Sequence, residues 1–421
     1  MASGSSWLVL IVVLALGSLG WWLSFFVLPD FLPARIYNTD VNASNLETDE
    51  TSEVLPVPPW PVHVATPEAV KTIYMTQCVA GTPSFRADLV ELIEETELNS
   101  VVIDIKDYTG GIAFSTEHPA LVDYVSDHCG ANDMEDFVAM LHNKGIYVIG
   151  RITVFQDPLY AAAHPELAVK RASDGGVWKD KKKLSFIDVG ARPFWDYIIA
   201  LAQESYALGF DELNFDYVRF PSDGNMKDIA FPHSGNQGKA VVLEKFFTYL
   251  HGELRPDSGV AAPDQVPVLS ADLFGMTTTN TDDLNIGQVL ERALPYFDYI
   301  APMVYPSHYP AGFNGWSNPN DHVYEVIKLS MDSAVRRTIS ATTTVLANTH
   351  QRIGTSTPPI YRKPVYDPHK IRPWLQDFDY GGNYGPEEVR AQIQATYDSG
   401  LNSWMLWAPS NRYTKEALQT N

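Results

Sequence analysis

The segment ELNFDYVRFP, from Glu212 to Pro221, carries two polar side chains within a β-type pattern. In a strand, side chains two residues apart share a face, so Asn214 and Asp216 point the same way, with Asp216 nearer the carboxyl end. Isolated buried charge is costly, and a carboxylate at this place needs a partner or a task. The segment predicts a catalytic carboxylate at Asp216. The alternative is an ion pair with Arg219 that only holds a loop.

A second carboxylate, Asp272, is predicted on the next strand, in VLSADLF. Paired carboxylates suit glycosidic cleavage, because one attacks or orients water while the other, kept protonated, donates to the leaving oxygen. Nearby positive groups would keep Asp216 ionised, since they lower the pKa of a carboxylate. The candidates for that electrostatic role are Lys106, Arg151 and Arg219. Asp272 is the first candidate for the acid, Asp107, Asp157 and Asp377 are the alternatives, and retention or inversion stays open.

Polar side chains also occur late in most other predicted strands, although parallel barrel strands are otherwise nearly all hydrophobic. We expect these side chains to line a substrate cleft, with structural ion pairs among them as the alternative. The candidate substrate-binding residues are Asp104, Lys106, Arg151, Asn214, Arg219, Tyr305, Gln376 and Trp407. Ring faces on which sugars can stack are offered by Tyr305, Trp316, Trp374 and Trp407.

These residues depend on an alternation of strand-like and amphipathic helical segments. Strands are predicted at 71–79, 100–106, 146–155, 212–220, 268–274, 299–306, 372–378 and 403–409. Helices are predicted at 84–98, 132–144, 193–208, 238–254, 286–297, 322–337 and 386–399, several ending at a glycine. Eight strands alternating with helices are typical of a (β/α)8 TIM barrel, whose active site forms at the carboxyl ends of the strands. A doubly wound open sheet is the alternative, but no glycine-rich nucleotide loop follows the first strand. Residues 340–371 are predicted to be an insertion near the seventh strand.

The amino-terminal segment is predicted to be a membrane anchor. Residues 7–28 are uncharged and mostly apolar, which is long enough for a helix that spans a bilayer. A cleaved signal peptide is the alternative. The predicted organisation is an anchor or signal at 1–30, an acidic and proline-rich linker at 31–61, and an extracytoplasmic barrel at 62–421.

Composition and missing motifs exclude several other functions. The formal net charge of −21 argues against a nucleic acid partner, which would require a basic face. The sequence has no HExxH motif and no HxH on a predicted strand, so we expect no metal and no cofactor. It also lacks GxSxG and CxxC motifs. Cys78 and Cys129 are expected to be buried free thiols, and a single bridge outside the cytoplasm is the alternative.

The stretch from about Lys71 to Thr414 resembles bacterial glycoside hydrolase-like domains of unknown function that adopt a (β/α)8 barrel. The resemblance is carried by VVIDIKDYTGGIAF, YVIGRITVFQDP, GFDELNFDYVRFPSDG, ADLFG, DYIAPMVYPSHY, RPWLQDFDYG and SWMLWAPSNRYT. The FDYVRFP pattern is the most specific, being similar to an FDxY-type fourth-strand motif of barrels that hydrolyse exopolysaccharides or cell-wall glycans. The resemblance implies that Asp216 is the nucleophile or base and that the protein is secreted or surface-anchored. Related barrels often use Glu as the acid, and Asp272 departs from that pattern.

The sequence therefore predicts a membrane-tethered, extracytoplasmic TIM barrel that hydrolyses O-glycosidic bonds of a surface or extracellular polysaccharide without a cofactor. The alternative is a non-catalytic glycan-binding barrel, in which the aromatic rings hold sugar and Asp216 only accepts hydrogen bonds from hydroxyl groups. The two differ in whether turnover exists to be lost when Asp216 is replaced.

Overall fold

A computed structural model of the protein describes residues 63–255 and 266–420. In this part of the chain the strands are β1 Lys71–Met75, β2 Ser100–Lys106, β3 Tyr147–Thr153, β4 Glu212–Asp216, β5 Val268–Phe274, β6 Tyr299–Met303, β7 Thr342–Thr343, β8 Gln351–Ile353, β9 Ile360–Arg362, β10 Trp374–Gln376 and β11 Trp404–Trp407. The α-helices are α1 Gln77–Ala80, α2 Pro83–Glu95, α3 Met134–Asn143, α4 Pro158–Ala163, α5 Arg192–Leu208, α6 Lys239–Leu254, α7 Leu290–Ala293, α8 Val323–Ile339 and α9 Pro386–Asp398.

Eight parallel strands close into a barrel in the order β1-β11-β10-β6-β5-β4-β3-β2. Each of these strands corresponds to a segment predicted from the sequence, so the predicted (β/α)8 barrel is confirmed. The closed order excludes the doubly wound open sheet. Neighbouring β2, β3, β4 and β5 carry most of the residues that the sequence placed in the site.

Alternating side chains on the strands separate two apolar layers. Ile73, Val101 and Leu213 belong to the large cluster that also contains the buried faces of the helices. Tyr74 and Val102, one residue further along, belong to a smaller cluster with residues of four other barrel strands and the segment before β1. This smaller cluster fills the inside of the barrel, as expected when side chains alternate in direction along each strand.

Helix ends follow the signals in the sequence. Pro83, Pro193 and Pro386 lie in the first turns of α2, α5 and α9, where a missing N–H leaves no helical bond unmade. Gly209, directly after α5, has a φ of 120°, a conformation that costs a glycine little. The helix predicted at 286–297 is wrong in length: α7 ends before Pro295, which cannot continue a helix.

Two further differences concern the loops. Residues 340–371 contain a small antiparallel sheet in the order β7-β9-β8, which the sequence pattern did not reveal. Cys78 of α1 and Cys129, in the loop after β2, form a disulfide bond, so the expectation of two buried free thiols was wrong. Cys78 is exposed rather than buried. The bond joins the segments that follow the neighbouring strands β1 and β2. The two backbones approach closely here, because an added Cβ at Gly81 would lie 2.2 Å from the carbonyl oxygen of Gly130.

The predicted anchor at 7–28 and linker at 31–61 lie outside the described residues. Among the residues that are described, no helix has the length and apolar character needed to cross a bilayer.

Candidate active site

Arg151, in the middle of β3, gathers three carboxylates around one guanidinium. Its Nη1 lies 2.6 Å from Oδ1 of Asp104, and its Nη2 forms a close ion pair with Asp216. Its Nε lies 3.7 Å from Oδ2 of Asp272, too far for a hydrogen bond. Arg151 is only 5% exposed, so these contacts form away from bulk water. Charges interact more strongly in the protein interior than in water. The structure thus brings together Asp104, Arg151, Asp216 and Asp272, as the strand pattern predicted.

Asp216 is the last residue of β4, and the chain turns sharply after it. Its Oδ1 accepts a hydrogen bond from the backbone N–H of Tyr217. Tyr217 has a φ of 50°, which is uncommon for a bulky residue and costs about 1–3 kcal/mol. Such strain persists only where the surroundings enforce it, and it clusters at functional sites. The FDY segment therefore presents a carboxylate at the carboxyl end of the strand, with one oxygen fixed by the turn and the other by Arg151.

Asp272 lies on the inner face of β5 and is held as a neighbour of Asp216. Its Oδ1 accepts hydrogen bonds from Nδ2 of Asn214 at 2.9 Å and from Nε1 of Trp374 at 2.8 Å. Burial raises the pKa of Asp272 to about 8, the charge of Asp216 adds to the rise, and Arg151 opposes it. Asp272 therefore keeps its proton at neutral pH, as a general acid must.

Asn214 fixes this arrangement from β4. Besides its bond to Asp272, its Nδ2 donates to Oγ of Ser270 at 3.0 Å. Its Oδ1 has no hydrogen-bond partner within the described residues and is buried. A free acceptor inside a polar site is suited to a hydroxyl group of a ligand, because an unpaired buried oxygen is costly.

Tyr74 is a site residue that the strand pattern missed. Its hydroxyl donates to Oδ2 of Asp104, and its ring stacks on Trp407 with centroids 4.0 Å apart. The guanidinium of Arg151 lies 5.7 Å from the Tyr74 ring and 5.3 Å from the Trp407 ring. Burial raises the pKa of Asp104 to about 6, against the pull of Arg151 and the hydrogen bond from Tyr74. An inward-facing tyrosine late in β1 was the signal that could have identified Tyr74.

Lys106 does not face the carboxylates, contrary to the period-two prediction. The register shifts between Asp104 and Lys106, and Lys106 pairs with Ile152, whose side chain faces the helices. The extra residue reverses the face that Lys106 occupies, as a β-bulge does. Its ammonium lies 2.8 Å from Oδ2 of Asp157 and 5.9 Å from the ring of Phe194 in α5.

Arg219 does not pair with Asp216. Its Nη1 donates to the Phe220 carbonyl at 3.1 Å and to Oγ of Ser222 at 3.2 Å. Its guanidinium lies 4.7 Å from the centroid of the Tyr217 ring. The positive group that contacts Asp216 is Arg151, and the simple Asp216–Arg219 pair is excluded.

Gln376 uses its amide to hold two loops. Its Oε1 accepts from Oγ of Ser307 at 2.8 Å, and its Nε2 donates to the carbonyl of Phe378 at 2.9 Å. The side chain is fully buried. Gln376 therefore links the loop after β6 to the loop after β10.

The alternative acids are all engaged elsewhere. Asp107 accepts two hydrogen bonds within its own turn. Asp157 caps α4 by accepting from the N–H of Tyr160 at 2.8 Å and also pairs with Lys106. Asp377 accepts from the N–H and the hydroxyl of Thr414, at 2.9 Å and 2.6 Å. Of the four predicted acids, only Asp272 shares the guanidinium of Arg151 with Asp216.

The predicted sugar-stacking rings differ in their accessibility. Trp374 is 1% exposed and inside the barrel, so its ring faces are not free. Trp316 stacks on His322 at 4.7 Å, on the loop after β6. Tyr305 is 7% exposed and Trp407 is partly exposed, both within the inner cluster. Over residues 63–255 and 266–420, no group of three or more His, Cys, Asp or Glu side chains is arranged so that it could hold a metal ion.

The fold and the sequence also match known proteins. The glycoside hydrolase domain of PgaB (BpsB) from Bordetella bronchiseptica has a TM-score of 0.54 and 12% identity, over 84% of this chain and 99% of that chain. Alpha-L-fucosidase isoenzyme 2 from Paenibacillus thiaminolyticus has a TM-score of 0.53 and 12% identity, over 83% of this chain and 48% of that chain. At these identities the similarity shows the shared fold alone.

A hypothetical protein from Ruminiclostridium thermocellum ATCC 27405 is 31% identical, over 48% of this chain and 96% of that chain, with a TM-score of 0.41. No curated protein matches this chain. The family model described as "Putative glycosyl hydrolase domain" matches residues 72–413, which include all eight barrel strands except the first residue of β1. The chain therefore belongs to this glycosyl hydrolase domain family.

Proposed function

We propose that the barrel hydrolyses O-glycosidic bonds of a surface or extracellular polysaccharide, with Asp216 and Asp272 as its two catalytic carboxyl groups. The observation that carries the proposal is that the two carboxyl groups have different surroundings. Asp216 forms a close ion pair with Arg151, whereas burial raises the pKa of Asp272 to about 8. Acid-assisted glycoside cleavage needs two neighbouring carboxyl groups in different surroundings, one of which keeps its proton.

In the proposed reaction, Asp216 either attacks the anomeric carbon, forming a glycosyl ester that water then hydrolyses, or removes a proton from the attacking water. Asp272 gives its proton to the glycosidic oxygen as the bond between that oxygen and the anomeric carbon breaks. Asn214 and Trp374 position the carboxyl group of Asp272 through their hydrogen bonds to Oδ1. Oδ2 of Asp272 is then the atom that can carry the proton.

The test is reducing-end release from a panel of bacterial and plant polysaccharides by the full-length chain. We expect release by the wild type, and a loss of about 10²–10⁴-fold in Asp216→Asn and in Asp272→Asn, the range that one acid or base contributes. Asp367→Asn is the matched control, because Asp367 is exposed and lies outside the barrel interior. Equal rates in the wild type and both site variants would contradict the proposed roles.

One observation favours a second candidate function, a glycan-binding barrel without turnover. Asp272 is 1% exposed, and its Oδ1 already accepts two hydrogen bonds, as in a carboxyl group that only supports structure. Such a protein would release no reducing ends from any substrate. Its affinity for glycan would fall in Asp216→Asn, whereas an enzyme carrying Asp216→Asn would still bind its substrate.

We also propose that residues 7–28 anchor the protein in a membrane, with the barrel outside the cytoplasm, and that the substrate is met there. The disulfide bond between Cys78 and Cys129 supports this location, because such bonds persist in oxidising compartments.

A further inference from the structure

An aromatic strip leads from the inside of the barrel to its surface beside the candidate active site. The aromatic strip consists of Tyr305, His308, Phe378 and Tyr380, on the loops after β6 and β10. The ring centroid of Tyr305 lies 5.3 Å from that of His308 and 5.9 Å from that of Phe378. The ring of His308 lies 6.1 Å from that of Tyr380. The four rings are therefore continuous, each within the range of aromatic contact.

The inner end of the aromatic strip adjoins the two carboxyl groups. Tyr305 packs in the inner cluster of the barrel with Tyr74 and Trp374, the residue that donates to Asp272. Burial raises the pKa of Tyr305 well above its usual value, and the charges of Asp272 and Asp216 raise it further. The strip thus begins where the proposed bond cleavage occurs.

The outer end of the aromatic strip is unusually open. Tyr380 is 62% exposed, the largest fraction among the exposed large hydrophobic side chains of the described residues. A single exposed ring is ordinary on a protein surface. A ring that ends a continuous line from two catalytic carboxyl groups is better explained by a ligand that follows the same line.

Hydrogen bonds hold the two loops of the aromatic strip together. Gln376 accepts from the N–H and the hydroxyl of Ser307, at 3.3 Å and 2.8 Å, and donates to the Phe378 carbonyl. Oγ of Ser307 lies 3.0 Å from Nδ1 of His308. Rings fixed in advance lose little entropy when they bind a ligand. This gives the buried Gln376 a task in positioning the aromatic strip.

We propose that the aromatic strip is a subsite for sugar units beyond the bond that is cleaved. The substrate is then a polymeric chain that leaves the barrel across the face of Tyr380. Aromatic rings suit this task because they offer a flat apolar face together with a polar edge. The inference rests on the proposed function for the position of the cleaved bond, but binding at the subsite can be measured without turnover.

The experiment measures binding by the full-length Asp216→Asn protein in native gels that contain barley β-glucan, xylan, alginate or chitosan. Tyr380→Ala, Tyr380→Phe and Leu346→Ala are each added to this protein. Leu346 is 53% exposed and lies between β7 and β8, so Leu346→Ala removes an exposed apolar side chain elsewhere. We expect retardation by at least one polysaccharide, weakened about two- to tenfold by Tyr380→Ala. Tyr380→Phe keeps the apolar ring face and should lose less binding than Tyr380→Ala, whereas Leu346→Ala should bind like the parent.

Oligosaccharides of the polysaccharide that retards the protein, used as competitors, test whether the bound sugar chain runs towards Tyr380. The loss caused by Tyr380→Ala should shrink as the competitor becomes too short to reach Tyr380. Equal binding by Tyr380→Ala and its parent, or retardation by none of the four polysaccharides, would overturn the subsite. If the wild type releases no reducing ends but Tyr380→Ala still weakens binding, the hydrolysis proposal fails and the subsite stands.

Discussion

The protonation of the site follows from a count of charges around Arg151. One guanidinium faces the carboxyl groups of Asp104, Asp216 and Asp272, and the ammonium of Lys106 is paired with Asp157. One positive charge cannot balance three negative charges in a buried site. Protons therefore stay on the carboxyl groups that interact most weakly with Arg151. Asp272 is the group farthest from Arg151 and has a pKa raised to about 8.

This charge count predicts the alkaline limit of activity. Because the pKa of Asp272 is raised, the neutral acid is present below about pH 8 and is lost as the pH rises above that value. kcat/KM should therefore fall above about pH 8, by roughly tenfold per pH unit, since it reports the ionisation of the free enzyme. The measurement is a pH profile of reducing-end release, with circular dichroism at each pH to show that the fold persists. A rate that stays constant to pH 10 would exclude Asp272 as the acid.

At the scale of elements, the disulfide bond joins α1 to the loop after β2 across 51 residues of sequence. Closing a loop of this length in the unfolded chain stabilises the folded state by about 4 kcal/mol in the chain-entropy estimate. The double variant Cys78→Ser, Cys129→Ser should lower the free energy of unfolding by about 2–4 kcal/mol. Urea denaturation measures this, and wild type unfolded in the presence of reductant is the control. If the unfolding free energies of the oxidised wild type and the double variant agree within about 0.5 kcal/mol, the bond adds no stability.

The strands of the barrel were predicted well, because the hydrophobic pattern within a single segment is enough to identify each of them. All eight barrel strands were found, because buried parallel strands are apolar runs bounded by polar loops. The face of Lys106 was predicted wrongly, because a bulge depends on pairing between strands and leaves no mark in a single segment. The disulfide bond was predicted only as the alternative to two free thiols, because Cys78 and Cys129 come together only after β1 and β2 have paired.

At the scale of the whole molecule, barrel closure assembles the site. Asp104, Arg151, Asp216 and Asp272 come from β2, β3, β4 and β5, which are consecutive neighbours in the closed order. Strand alternation together with the predicted barrel therefore placed these four side chains at the same end. Tyr74 lies beside Asp104 because β1 pairs with β2, and it was missed because a tyrosine in an apolar strand also fits core packing. Likewise, the bracing task of Gln376 depends on the fold of two loops and could not be read from the strand pattern.

The proposed anchor makes a prediction about where the whole molecule is found. A bacterial host that produces the full chain should retain it in the membrane fraction, because residues 7–28 are long and apolar enough to span a bilayer. Protease added outside the cytoplasmic membrane should digest the barrel, while a cytoplasmic marker protein stays intact. A variant without residues 1–30 is the control and should be digested only after lysis. Recovery of the full chain in the soluble cytoplasm would contradict the proposed location, and recovery outside the cell without the first residues would identify a cleaved signal.

In either extracytoplasmic case the thiols of Cys78 and Cys129 should resist alkylation until a reductant is added, because the bond between them forms and persists in an oxidising compartment.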